Sequence, residues 1–85
     1  MEYVIVAFRS RSNTVKFNEI LNRNNIPSEI ISTPKEVGIG CGLSVKLSLN
    51  YLAVAKKAVK MVKLNSFAGI FLVKRVGGGV FIKSI

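Results

Sequence analysis

Apolar positions change their spacing along this chain, and each change marks an expected element. Residues 2–8, "EYVIVAF", form a near-continuous run of β-branched and aromatic side chains, as in a buried strand. From Asn13 to about Asn24 the large apolar residues Phe17, Ile20 and Leu21 return at helical intervals, with Ser12 placed to cap the start and Asn25 to stop the end. "IPSEIIS" at 26–32 reads as a second strand, with Pro27 at its beginning or on a sheet edge. A loop at 33–42 leads into "LSVKLSL" at 43–49, whose alternation turns Leu43, Val45, Leu47 and Leu49 to one side. Asn50 can cap a second helix running to about Leu64. Its apolar half holds Tyr51, Val54, Ala55, Ala58, Val59, Met61 and Val62, and its other half holds Lys56, Lys57, Lys60 and Lys63. "SFAGIFLV" at 66–73 is a further buried strand, and "KRVGGGVFIKSI" reads as a hairpin whose glycines supply the positive φ of a tight turn.

The expected order is therefore β-α-β-β-α-β with one more strand at the end. That pattern predicts an α+β fold of one domain over residues 1–85, a ferredoxin-like sandwich with both helices on one face and the extra strand at an edge beside its predecessor. In such a sandwich the first two strands run parallel and finish at the same end. The loop after the first strand, the loop 33–42 and the last turn of the second helix become neighbours, and Arg9, Arg11, Lys35 and Lys63 become candidates for one cationic rim.

Composition narrows the chemistry. Thirteen Lys/Arg against four Glu leave a net charge of +9, which favours acidic partners such as nucleic acid, an acidic protein or an anionic surface. The chain has no histidine and no aspartate, so neither a Ser/His/Asp nor a Cys/His catalytic arrangement can be built from it. One cysteine and four scattered glutamates make a poor metal-binding set, so no metal or cofactor is expected. The N-terminus lacks the basic flank of a secretory signal, and no apolar run approaches the roughly 20 residues of a membrane-spanning helix. The expectation is a soluble, cytoplasmic protein whose single thiol, Cys41, is free.

Cys41 sits between Gly40 and Gly42 in "PKEVGIGCGLS". Nearby cations and a helix N-terminus would both favour its thiolate, and the flanking glycines would let backbone amides approach an anion. A thiolate without a general base suits carrier chemistry: persulfide, selenide, mixed disulfide or redox sensing. The competing reading is a small inert hydrophobe at the start of the third strand. "GIGCG" is not a nucleotide loop, because it leads into a strand and no Gly-Lys-Ser/Thr follows. In "RSRS" the residues Arg9, Ser10, Arg11 and Ser12 are an anion-binding candidate at a helix N-terminus. The stripe Lys56, Lys60 and Lys63 is either a solvated helix face or a footprint for RNA or another acidic surface. The aromatic signature of RNA-recognition domains is absent. Homodimerisation through a sheet face or edge also stays open.

The stretch from Leu21 to Leu47 resembles a small bacterial family of selenium/sulfur carrier-like domains. Its pattern is a strand ending in Phe-x-Ser, a helix, then Leu-x-x-x-Gly-Ile-Pro, Pro-Arg-Glu-Ile-Ser-Ser-x-Cys-Gly and a strand. Phe8 and Ser10 match the first part, Leu21, Ile26 and Pro27 the second, and Pro34, Glu36, Cys41 and Gly42 the third at the same spacing. Lys35 stands where the family has Arg, Asn25 where it has Gly, and Gly38, Ile39 and Gly40 where it has Ser-Ser-x. The resemblance spans about residues 3–73. It implies a carrier role for Cys41; the reading built on it is a non-enzymatic carrier of sulfur or selenium, aided by Lys35, Arg9 and the N-terminus of the first helix, with a donor or acceptor protein as partner. The alternative from the residues themselves is a binding module for RNA or another acidic partner.

Overall fold

The computed structural model describes residues 1–85. Its elements are β1 (Glu2–Phe8), α1 (Arg11–Arg23), β2 (Glu29–Ser32), β3 (Leu43–Ser48), α2 (Leu52–Val62), β4 (Phe67–Val76) and β5 (Gly79–Ser84), with a turn of 3-10 helix at Leu49–Tyr51 before α2. The strands form one antiparallel sheet in the order β2-β3-β1-β4-β5. The protein is α+β, with two helices and five strands. No helix is long and apolar enough to cross a membrane.

The continuous apolar run of β1 follows from its place at the centre, paired on both sides and covered on both faces. Val4, Val6 and Phe8 point toward the helices and meet Val45 and Leu47 of β3, Ile70 of β4, Phe17 and Leu21 of α1 and Ala55 of α2. Tyr3, Ile5 and Ala7 alternate to the opposite face and pack with Phe71 and Val73. No helix covers that second face. It is closed by Ile31, Ala68, Val80 and Ile82 of the strands and by Val37 of the loop between β2 and β3. The Phe71 ring folds over Gly69, where a Cβ would lie 3.0 Å from its Cζ. Lys46 Nζ sits 4.6 Å from the centre of the Tyr3 ring and pairs with Glu29 at 3.9 Å.

Several boundaries differ from the expectation, each for a local reason. Ser10, not Ser12, caps α1: its backbone is extended and its Oγ accepts from the Asn13 amide at 3.2 Å. Ser12 lies in the first turn. β2 begins only at Glu29, leaving Pro27 outside an edge strand. Ser48 caps the 3-10 turn, so Asn50 falls within that turn and α2 starts at Leu52. Val54 and Met61 do not join the core and are 39% and 71% exposed. Each lies about 100–120° around the helix from buried Ala55, beyond the stripe of Leu52, Ala58 and Val59 that meets the sheet. β4 runs three residues past its expected end at Val73, and the hairpin turns at Gly77–Gly78.

Because β1 and β2 both run antiparallel to β3, they are parallel to each other and finish at the same end of the sheet. That end carries the β1–α1 loop, the β2–β3 loop and the α2–β4 turn. β5 lies beside β4 and forms the edge opposite β2.

Candidate functional site

The β2–β3 loop is closed at its base and pinned near its tip. Thr33 N–H donates to the Gly42 carbonyl at 2.8 Å, and the Thr33 and Ser44 hydroxyls bond at 2.6 Å. A turn follows, in which Val37 N–H donates to the Pro34 carbonyl at 3.0 Å. The path then passes through left-handed backbone at Gly40 (φ +100°) and Gly42 (φ +91°), on either side of Cys41. Gly40 lies against β1, and a Cβ there would come within 3.3 Å of the Phe8 carbonyl oxygen. That same oxygen accepts the Cys41 N–H at 3.1 Å. The glycine is thus needed both for its φ and for close approach. Gly40→Ala is expected to cost about 1–3 kcal/mol from the strained backbone alone and to lift Cys41 off β1. Urea unfolding gives the first effect, and faster exchange of the Cys41 amide gives the second.

The Cys41 sulfur, half-buried, faces Thr14 of α1, with Oγ1 at 3.5 Å, and the Leu43 carbonyl at 3.6 Å. Thr14 is fully buried. Its hydroxyl also reaches the Ser10 carbonyl at 3.0 Å, an oxygen already satisfied by the Thr14 N–H at 3.1 Å. The hydroxyl proton therefore has two destinations. With the thiol protonated, Thr14 donates to Ser10, and the one S–H proton goes to the Leu43 carbonyl. With the thiolate formed, the same proton can turn to sulfur without orphaning the Ser10 oxygen.

The balance of influences places the Cys41 pKa below the ordinary cysteine range. Burial is the largest influence and opposes the shift. It is outweighed by the Thr14 hydroxyl, by backbone hydrogen bonds from Leu43 and from Cys41 itself, and by the charge of Arg11. The Leu43 carbonyl, which accepts from the protonated thiol, favours the neutral form. Thr14→Val keeps the shape and removes the hydroxyl. The midpoint of the alkylation rate against pH is expected to move upward in this variant, with α1 intact by circular dichroism.

The family model described as "Putative Se/S carrier protein-like" matches residues 2–66. The chain belongs to this family. No curated protein and no solved structure matches it. The Se/S carrier-like match takes in β1, α1, the cysteine loop, β3 and α2, and ends at Ser66, just before β4.

Around the sulfur, the domain assembles the sequence candidates unevenly. Arg11 is close enough for its charge to act on the thiol, whereas Arg9 and Lys35 are exposed side chains for which no pairing with Cys41 is seen. Lys35 borders a shallow depression formed with Thr33, Pro34, Ile39, Gly40 and Gly42 on the outer side of the loop. The Ser10 and Ser12 hydroxyls bond each other at 3.0 Å. The Ser10 N–H donates to Ser66 Oγ at 3.2 Å, and the Asn13 side chain donates to Ser66 Oγ at 3.0 Å and to the Asn65 carbonyl. These bonds fasten the β1–α1 loop to the α2–β4 turn. Lys56, Lys60 and Lys63 are exposed on α2, and Lys63 takes the left-handed conformation that ends it. No three His, Cys, Asp or Glu side chains converge.

Thr14 and the Phe8 carbonyl are site groups that the sequence reading missed. The signal for Thr14 was present: it precedes Phe17 and Leu21 at the spacing of the buried face of α1, where a hydroxyl must find a partner.

Proposed function

We propose that this domain is a thiol carrier for sulfur or selenium, with Cys41 as the atom-bearing residue. The arrangement that supports it is a half-buried sulfur with a lowered pKa, beside a buried hydroxyl that can follow its change of charge. In the loading step the Cys41 thiolate attacks the terminal sulfur of a donor persulfide. A new S–S bond forms at Cys41, the donor's S–S bond breaks, and the donor leaves as a thiolate that takes up the proton released by the transferred outer sulfur. Delivery is the same exchange onto an acceptor thiolate. Selenium follows the same course as the outer atom. Oxidation states balance without a cofactor, and the protein works as a carrier rather than an enzyme.

In this reading Arg11, Arg9 and Lys35 form a cationic rim that attracts an acidic donor or acceptor protein. Gly42 leaves room for the outer atom, since nothing approaches within 4 Å of the place its Cβ would take, while Gly40 holds the loop against β1. In the same reading the fold is a ferredoxin-like β-α-β-β-α-β sandwich with β5 added beside β4, for which the order of elements is the support, and a free thiol of this kind suits the reducing cytoplasm. The test is incubation with a small-molecule persulfide donor followed by mass spectrometry of the intact protein. A mass gain of one sulfur atom, removed by a thiol reductant, supports the reading, and a protein that stays at its starting mass while its thiol remains free rejects it.

A further inference from the structure

Every charged residue after Glu36 is a cation. The only ion pair any of them makes is that of Lys46 with Glu29. α2 and the β4–β5 hairpin thus carry an excess of positive charge, with Glu2 of β1 as the cross-strand partner of Lys74, and the two elements flank a groove. Its floor is Val59, Ile70, Phe67 and Ile85, with Lys56 and Lys60 on the α2 wall. On the hairpin side, Lys74 and Phe81 are cross-strand partners, and Lys83 follows on the same face as Phe81. Phe81 is the most exposed aromatic residue, at 63%. Its ring edge lies near Gly79, with Cε2 3.7 Å from the place a Cβ there would occupy, and the rest of the side chain is open to solvent. Phe67, 40% exposed, lines the groove, whereas Phe81, Lys74 and Lys83 stand on the same sheet face beyond its lining.

We infer that this α2–β5 groove binds single-stranded nucleic acid, with Phe81 as a base-stacking platform and Lys56, Lys60, Lys74 and Lys83 as phosphate contacts. Lysines on α2 and on the hairpin beside it suit a polyanion that runs along both, and an open aromatic suits an unstacked base. A duplex keeps its bases stacked inside and could use only the lysines. An acidic peptide would be drawn by the same lysines and would have no need of a planar ring. The inference is independent of the thiol chemistry, because Cys41 lies on the β2–β3 loop and lines no part of the groove.

Fluorescence anisotropy with a labelled oligouridylate of about a dozen nucleotides tests it. Binding should weaken linearly in log–log fashion with salt, and each of Lys56, Lys60 and Lys83 changed to Glu should lower the slope by about 0.7 or more. Phe81→Leu leaves the charge unaltered and keeps an apolar side chain on the strand. It should weaken binding about tenfold. Cys41→Ser should bind as the native chain does. The inference is overturned if the duplex or a polyglutamate peptide of equal charge binds as tightly as the single strand, or if Phe81→Leu, shown folded by circular dichroism, binds without loss. Absence of binding at low salt also overturns it.

Discussion

Cys41→Ser should take up no sulfur at all from a persulfide donor while keeping its fold. The serine hydroxyl is close in size to the thiol, can bond Thr14 as the sulfur does, and keeps the amide that donates to Phe8. Its oxygen cannot become a useful anion near neutral pH, and a group transfer that begins with an anion on this atom has no alternative nucleophile, since Cys41 is the only cysteine. Mass spectrometry after loading reads the loss, and thermal unfolding checks the fold.

The same pair of proteins reports the pKa shift as stability. A cysteine whose folded-state pKa lies below its unfolded value binds its proton more weakly when folded, so deprotonation favours the folded form. The resulting stabilisation is fully present above the unfolded pKa of about 8.5 and is lost as pH falls through the folded pKa. Urea unfolding from about pH 6 to about pH 10 should show the native chain gaining on Cys41→Ser as pH rises. A constant difference would mean that the site does not favour the thiolate.

Phe17→Ala is expected to bring the largest loss of stability. Phe17 is fully buried, and its ring centre lies 5.2 Å from that of Phe8, which in turn meets Phe67 edge-on at 5.9 Å. Truncating a buried phenylalanine costs about 3–5 kcal/mol. Small domains hold about 5–15 kcal/mol in total, with chains of this length toward the low end. A large share of the variant should be unfolded in mild urea, read by fluorescence or circular dichroism. The loss should reach the thiol too. Thr14 sits one helical turn before Phe17 on the same face, and Phe8 carries the carbonyl that holds Cys41. Alkylation of Cys41 should therefore lose its low midpoint.

How much of this was legible follows from the range of each signal. The run "EYVIVAF" and the alternation of "LSVKLSL" are strong local patterns, and both strands appear where they predict. The placement of the cysteine loop beside the β1–α1 loop followed from the order of elements, because parallel β1 and β2 must finish together. The caps were less legible. Ser10 and Ser12 carry the same hydroxyl two residues apart, and the choice was made by Ser66, which lies far along the chain and binds the Ser10 amide. Likewise the width of the apolar face of α2 depends on how α1 sits beside it, which leaves Val54 and Met61 bordering a groove with Ile20 and Ile26. Of the cationic rim, Arg11 acts on the sulfur from the first position of α1, which begins two residues earlier than a cap at Ser12 would have started it. The role of Thr14 rests on a contact between residues 14 and 41, and no periodicity encodes such a pair.

The central position of β1 has a consequence for where this protein can be divided. The family match ends at Ser66, but one whole edge of β1, from Glu2 to Phe8, is hydrogen-bonded to β4, which begins at Phe67. A fragment cut at the end of the match would leave the most apolar strand of the chain with a row of unpaired amides and carbonyls, open to the same strand of another copy. It would also strip Phe71 and Val73 from the face beside Ile5. The natural outcome for such a fragment is aggregation. The shortest piece that can fold therefore extends beyond the piece that defines the family.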